Sequence, residues 1–267
     1  MTLRRTLIIA GTCGLLACSG TRETAVAPAG AELSPNTYAA LYQNASAEVQ
    51  WMYEQAYALA RVKLEANLAV PDGLPPAVVV DVDETVLDNS PYELENILAG
   101  RSYSPETWKA WTDRASAAAL PGALAFLQHA EELGCAVFYI TNRTDEERAA
   151  TVRNLSALGF PMSDADHVLT KGSTSDKTAR RASVAADHRI VLLVGDQLTD
   201  FDQVFRERGE DLGWGMLEEH REALHGRFVL VPNATYGYWR DGITGRGTSA
   251  EQQERVKRFL EERTRRP

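Results

Sequence analysis

The chain has 267 residues, 44% hydrophobic and 24% charged, with no long biased tract. That is the composition of a folded globular protein large enough to bury a sizeable core, which excludes a disordered or fibrous chain. The formal net charge of −9 argues against a nucleic-acid polymer as the main partner, because phosphate backbones are held by basic surfaces; small anionic substrates respond to local charge and stay compatible with it.

Arg4 and Arg5 precede an apolar run over residues 7–17 that is too short to span a bilayer. The run ends Leu15-Leu16-Ala17-Cys18 and resembles a bacterial lipobox. Residues 1–17 are therefore expected to be a lipoprotein signal peptide, cut before an acylated Cys18; an ordinary secretory signal cut elsewhere is the alternative. Acyl chains would anchor the protein without a transmembrane helix. Ser19, not Asp, follows the cysteine, which by resemblance to the lipoprotein sorting rule implies the cell outer membrane. Cys135 is then the one cysteine left free, so no internal disulfide is expected. It sits before an apolar run with no adjacent basic residue, as a buried inert thiol would.

Residues 18–34 are rich in Thr, Ala, Pro and Gly and read as a flexible tether. Residues 35–75 form a helical extension: Val49, Met52, Tyr53, Ala56, Leu59, Ala60, Lys63 and Leu64 recur at helical spacing, as one long amphipathic helix. Trp51, Tyr53 and Tyr57 are read as core packing, with an aromatic ligand box as the other reading, and so long a helix could serve a homodimer. Pro71-Asp72-Gly73 breaks it.

Ala77-Val78-Val79-Val80 is a short β-branched run, read as a buried parallel strand. It stops on Asp81, Asp83, Glu84 and Asp88. Residues 89–120 show no strong strand and read as a helical cap inserted over that strand end. Ser104-Pro105-Glu106 starts a helix there. Trp108 and Trp111 follow, for cap packing or for stacking on a substrate. Pro121-Gly122 closes the insertion. Helices and strands then alternate: helix 123–133, strand 136–141, helix 145–158, strand 167–170, helix 176–186, strand 189–194, helix 201–208 and strand 227–231. The pattern predicts an α/β fold, a doubly wound parallel sheet built from 76–88 and 121–248, with a small helical cap at 89–120 and a charged C-terminal helix within 249–267.

In such a sheet the strand ends lie side by side and bind ligands. Asp81 and Asp83, Thr141-Asn142-Arg143 after the second strand, Lys177 opening a helix, and Asp196 with Asp200 after a third strand would converge there. Four carboxylates, a hydroxyl or amide group and a lysine suit phosphoryl chemistry with Mg²⁺: hard oxygen ligands hold the ion, and ion and lysine offset the charge of the transferring group. One carboxylate could attack phosphorus. No GxxxxGK[ST] loop, HExxH or Cys/His cluster is present, which sets aside a P-loop NTPase and zinc chemistry.

The segments DVDET (81–85), TNR (141–143), Lys177 and GDQLTDF (195–201), in this order, resemble the four motifs of the haloacid dehalogenase (HAD) superfamily of phosphohydrolases. With the lipobox and LDNSPY (87–92), the chain looks like the class C acid phosphatases, outer-membrane lipoproteins acting as 5′-nucleotidases or broad phosphomonoesterases. The resemblance implies Asp81 as the nucleophile of an aspartyl-phosphate and Asp83 as general acid, then base. It implies Mg²⁺ held by Asp81, the backbone carbonyl of Asp83, and Asp196, with Asp200 orienting a metal water or Lys177. Thr141 and Asn142 would contact phosphate, Lys177 both phosphate and nucleophile, and Tyr236 the nucleoside, with Trp108 or Trp111. Val82 and Gln197 depart from the family pattern, Gln197 beside the metal site. The expected partner is a small-molecule phosphomonoester. The alternative is a non-catalytic surface lipoprotein that binds a small ligand or haem on the same fold, against which the presence of Asp81, Asp83, Lys177 and Asp196 weighs.

Overall fold

A computed structural model describes residues 34–70 and 73–264. The expected signal segment, Cys18, nearly all of the tether, Pro71 and Asp72 lie outside the described residues. Two helices lead, α1 (Thr37–Ala45) and α2 (Ala47–Leu68), where the sequence pattern suggests one. Ser46 divides them. Its backbone is extended (φ −81°, ψ 134°) and its hydroxyl accepts from Val49 N at 3.0 Å, so it caps and starts α2.

After β1 (Pro76–Val80) come β2 (Leu87–Asp88), α3 (Ser90–Leu98), α4 (Pro105–Thr112) and β3 (Ala118–Ala119). β2 and β3 pair antiparallel; between them the chain makes α3 and α4. Helix α4 starts as its sequence suggests, with Ser104 in a capping box and Pro105 in the first turn. Then follow α5 (Ala123–Glu132), β4 (Ala136–Thr144), α6 (Arg148–Ala157), β5 (Val168–Lys171), α7 (Thr178–Asp187) and β6 (Arg189–Gly195). The chain closes with α8 (Leu198–Phe201), α9 (Trp214–Glu219), α10 (Arg221–Arg227), β7 (Phe228–Leu230), α11 (Tyr238–Thr244) and α12 (Ser249–Thr264). The single helix expected over 201–208 is instead α8 and a 3₁₀ turn, Gln203–Arg206. Asp202 separates them: it is extended (φ −148°, ψ 142°) and its carboxylate accepts from Val204 N at 2.9 Å.

The main sheet runs β5-β4-β1-β6-β7, parallel throughout. Alternation along β1 explains why both faces are covered: Val78 and Val80 join the cluster containing Tyr53, Tyr57, Phe126 and Leu155, while Ala77 and Val79 join Val184, Leu198 and Phe205. Helices α2, α5 and α6 therefore pack on one face, and α7 and α8 on the other. The chain winds outward from β1 to β5 and then returns to β6, so β1, β4 and β6 deliver their carboxyl ends to one place at the middle of the sheet. Among the described residues no helix is long and apolar enough to cross a membrane, and Cys135 is buried and free.

Candidate active site

Asp81 follows β1 directly, its N–H donating to Val194 O of β6 at 3.0 Å. The next residues fold into a tight turn in which Val82 O accepts from Thr85, Val86 and Leu87 N–H. At β6, Gly195 precedes Asp196; a Cβ there would overlap the Asp200 side chain, so glycine is required for Asp200 to close over the strand end. Asp200 is fixed further by accepting from Gln197 N at 2.9 Å.

Three carboxylates meet: oxygens of Asp81, Asp196 and Asp200 lie within 4.8 Å of one another. Lys177, the residue that precedes α7, is 5% exposed; its ammonium pairs with Asp81 and, at 2.7 Å, with Asp200. Three carboxylates against one ammonium leave a surplus of two negative charges. Burial pushes Asp81 up to about 7, with Lys177 opposing and Asp200 and Asp83 adding to the rise. Asp196 is raised well above the usual carboxylate range by burial and by Asp200 and Asp81. Burial would lower Lys177, but Asp200 and Asp81 outweigh it and hold the ammonium above its ordinary value. The two partners thus pull apart, the lysine toward charge and Asp81 toward neutrality. We read the contact as an ion pair, because Lys177 has carboxylates on two sides. The pressure to protonate comes from the surplus of acids, and a cation relieves it. An all-carboxylate donor set with unbalanced charge fits a hard divalent ion.

Asp83 points elsewhere. Its Oδ1 accepts from Asn89 Nδ2 at 2.9 Å and from Arg143 Nε at 2.9 Å, and its Oδ2 from Thr141 Oγ1 at 3.3 Å. Arg143 is 1% exposed and also donates to Thr151 Oγ1 and Asn89 Oδ1. Thr141 Oγ1 accepts from Arg143 N at 3.0 Å. Asn142 lies one step further out, its Oδ1 accepting from Arg180 at 2.8 Å, while Arg180 also holds Thr141 O.

Gln197, which departs from the family pattern, faces the metal-ligand candidate: its Nε2 donates to Asp196 Oδ2 at 2.7 Å, beside Asn233 Nδ2 at 2.7 Å. Tyr236 is half-buried and donates its hydroxyl to Glu84. Trp108 is half-buried, edge-on to Tyr92 (5.2 Å) and tilted against Tyr103 (6.3 Å), the Arg143 guanidinium 5.7 Å from its ring. Trp111 is buried, and its indole N–H donates to Asn89 Oδ1 at 2.8 Å. It packs the cap and offers no open face for stacking, so of the two alternatives for Trp111 only packing stands.

Sequence reasoning gathers the acids, Thr141 and Lys177 and misses the groups that aim them: Asn89, Arg143, Arg180 and Asn233. Arg143 and Asn89 stand inside the quoted motifs, but their partner Asp83 is 60 and 6 residues away, which no local spacing reveals.

The model of the HAD superfamily, subfamily IIIB (acid phosphatase), matches residues 10–239. The class C acid phosphatase from Bacillus anthracis has the same architecture: TM-score 0.79, 32% sequence identity, covering 84% of this chain and 95% of that one. A second structure of that protein, with tungstate bound, gives a TM-score of 0.78 at 32% identity and the same coverage. Acid phosphatase 1 of Solanum lycopersicum is 34% identical over 130 residues, 46% of this chain and 50% of that protein; the match thus spans half the length of that relative.

Proposed function

The chain belongs to subfamily IIIB of the HAD superfamily, the acid phosphatases, and from that premise we propose that it is a Mg²⁺-dependent phosphomonoesterase that works through an aspartyl-phosphate, with 5′-nucleotides as its substrate class. One observation carries the reading: Asp81 stands in contact with Lys177 inside the acid cluster, while Asp83, two residues on, is held apart by Arg143 and Asn89. The lysine contact supports the first acid as the nucleophile, and its separate surroundings support the second as the group that moves a proton. The tungstate complex of the Bacillus anthracis relative supports an oxyanion site, since tungstate is a tetrahedral dianion of phosphate's shape. With the full acid set present and phosphatases as relatives, the binding-protein alternative loses its ground.

The cation would be held by Asp81, Asp196 and the backbone carbonyl of Asp83, with Asp200 in support, and would reduce the charge opposing attack on the phosphoryl group. In the first step an Asp81 carboxylate oxygen bonds to phosphorus as the ester P–O bond breaks. The leaving alkoxide takes its proton from Asp83. In the second step Asp83 takes a proton from water, the resulting hydroxide attacks phosphorus, and the Asp81–phosphate bond breaks to release inorganic phosphate. Lys177, fixed by Asp200, balances charge on Asp81 and phosphate throughout. The aromatic cluster of Tyr92, Trp108 and Tyr103 borders Arg143, and so the Asp83 side of the site where the leaving group would depart; a flat leaving group such as a nucleoside suits it. Tyr236 comes from the loop after β7, its hydroxyl on Glu84.

The test is a screen of phosphomonoesters read by released phosphate. The protein with Mg²⁺ is expected to hydrolyse p-nitrophenyl phosphate and nucleoside 5′-monophosphates, and EDTA to stop both. Nucleotides should exceed glycerol phosphate in kcat/KM by about tenfold, one stacking contact's worth. Equal values would remove the nucleotide assignment and leave the phosphatase.

Arg143→Gln tests the role of Asp83. p-Nitrophenolate leaves without a proton, whereas a nucleoside alkoxide needs one. If Arg143 aims the general acid, its loss should lower kcat for AMP by about 10²-fold and for p-nitrophenyl phosphate by about tenfold or less. An equal fall for both, at temperatures where the variant is folded, would show only a general disturbance.

A further inference from the structure

Tyr53 and Tyr57 sit one turn apart on α2, with exposures of 0% and 3%, and their rings fill the core below the acids. Their hydroxyls do not face one another or solvent. Tyr53 donates to Glu84 O at 2.8 Å, and Tyr57 donates to Thr85 O at 2.7 Å. These carbonyls belong to the turn that immediately follows Asp83. The turn carries an unusual backbone: Glu84 has φ +55°, a left-handed conformation that a residue with a Cβ keeps only when its surroundings enforce it.

Tyr53 reaches a second loop as well. Its oxygen lies 2.7 Å from Pro232 O and accepts from Gln43 Nε2 at 2.8 Å, which itself lies 3.3 Å from Pro232 O. A phenol has one proton, so Tyr53 and the Gln43 amide together supply two donors to the two carbonyls. Asn233, which follows Pro232, is one of the two residues whose amides hold Asp196, with Gln197. Tyr53 and the Gln43 amide bonded to it therefore tie the turn beside Asp83 to a loop that helps aim Asp196, two segments far apart in sequence. Burial, then the Glu84 and Asp196 carboxylates, raise Tyr53 well above its ordinary value, so it remains a donor at any working pH.

We propose that Tyr53 and Tyr57 are positioning residues for the phosphatase reaction: α2 clamps the backbone of the turn after Asp83 and, through Tyr53, fixes that turn against the Pro232–Asn233 loop, so that Asp83 and Asp196 keep their separation. The inference rests on the proposed roles of those two acids. If the tyrosines were only core packing, Phe would serve as well, at a cost in stability alone. A matched comparison exists in the same core. Tyr139 is fully buried and donates to a single backbone carbonyl, Pro161 O, at 2.7 Å, which lies in neither the turn after Asp83 nor the Pro232–Asn233 loop.

The experiment compares Tyr53→Phe, Tyr57→Phe and Tyr139→Phe in the full chain by Tm, kcat and KM with p-nitrophenyl phosphate, and the Mg²⁺ concentration giving half the maximal Tm shift. Tyr53→Phe is expected to lower kcat at least about tenfold with KM moved less than about threefold, and to raise the half-effect Mg²⁺ concentration. Tyr57→Phe should move the same way by less. Tyr139→Phe should lose Tm to a similar degree with kcat within about twofold of the parent. If Tyr53→Phe follows Tyr139→Phe in kcat and Mg²⁺ response, the clamp is wrong; should Tyr53→Phe not fold, the same comparison is decided by Tyr57→Phe. Asp81→Asn, assayed alongside, separates the two levels: an active Asp81→Asn defeats the proposed mechanism, whereas an inactive one with an unaffected Tyr53→Phe defeats the clamp alone.

Discussion

Asp81→Asn is expected to abolish turnover of p-nitrophenyl phosphate, with kcat falling on the order of 10³-fold or more, while the chain still folds. An amide cannot form the phosphoryl ester, so what remains is direct attack by water within the same site. The fold should tolerate the change because Asn is isosteric and its oxygen can still accept from Lys177 or from Thr85 Oγ1, which now lies 3.3 Å from Asp81 Oδ2. Lys177 also keeps Asp200, and one charge leaves an overcrowded cluster. Activity, Tm and acid-quenched trapping of the phosphorylated protein check the claim together. A variant that keeps a tenth of the parental kcat, or that still traps phosphate on the chain, would move the nucleophile to another residue. With one charge fewer in the cluster, Tm is expected not to fall, so that loss of activity in a variant of parental Tm reports on the chemistry alone.

The part of this site that can be read in the sequence is the part carried by chain-local pattern. β1, β4 and β6 announce themselves as apolar runs that end on Asp81, Thr141 and Asp196, and a parallel sheet brings such ends together whatever the details. Lys177 is legible by order among the motifs. The reach of long polar side chains across the fold is not legible. Arg143 looks like a surface cation after a strand, yet it is buried against Asp83. Tyr53 and Tyr57 satisfy the helical apolar pattern by their rings, and nothing in that pattern tells where their hydroxyls go. Trp111 is equivocal for a similar reason: only its buried hydrogen bond to Asn89 assigns it to packing. Helix limits fail where a polar side chain takes over the backbone, as Ser46 does between α1 and α2 and Asp202 does after α8. Between 209 and 227, glycines at 209, 213 and 215 obscure the periodicity, and α9 and α10 pass unread.

Asp196→Asn should have opposite effects on activity and on the stability of the metal-free protein. Activity should fall by about 10²-fold or more as a metal-ligand carboxylate is lost. The Tm measured in EDTA at neutral pH should nevertheless rise by roughly 2–8 °C: relieving one buried like-charge contact is worth on the order of 1–2 kcal/mol, and each kcal/mol moves Tm about 2–4 °C in a chain of this size. Asn keeps an oxygen for Gln197 and Asn233, so no donor need be stranded. The pH dependence fixes the sign. Asp81 is raised to about 7 and Asp196 well above its ordinary value in the folded protein, so between about pH 4 and 7 the folded state binds more protons than the unfolded one. Their contribution to stability is fully present below about pH 4 and is lost as pH rises through the folded values. Lys177, raised from an already high value, stays charged across this window and adds no slope. The metal-free protein should therefore lose Tm from pH 4 toward neutrality, and Mg²⁺ should flatten that decline by taking the place of the protons. Glu84, also raised well above its ordinary value by burial and then by Asp83 and Asp196, feels the same ion, so the difference between the EDTA and Mg²⁺ curves reads the cluster together with Glu84. Asp196→Asn should shrink that difference to near zero. A difference that persists in the variant would place the cation elsewhere, and a fall in the EDTA Tm would mean that Asp196 is held by its hydrogen bonds more strongly than it is opposed by Asp81 and Asp200.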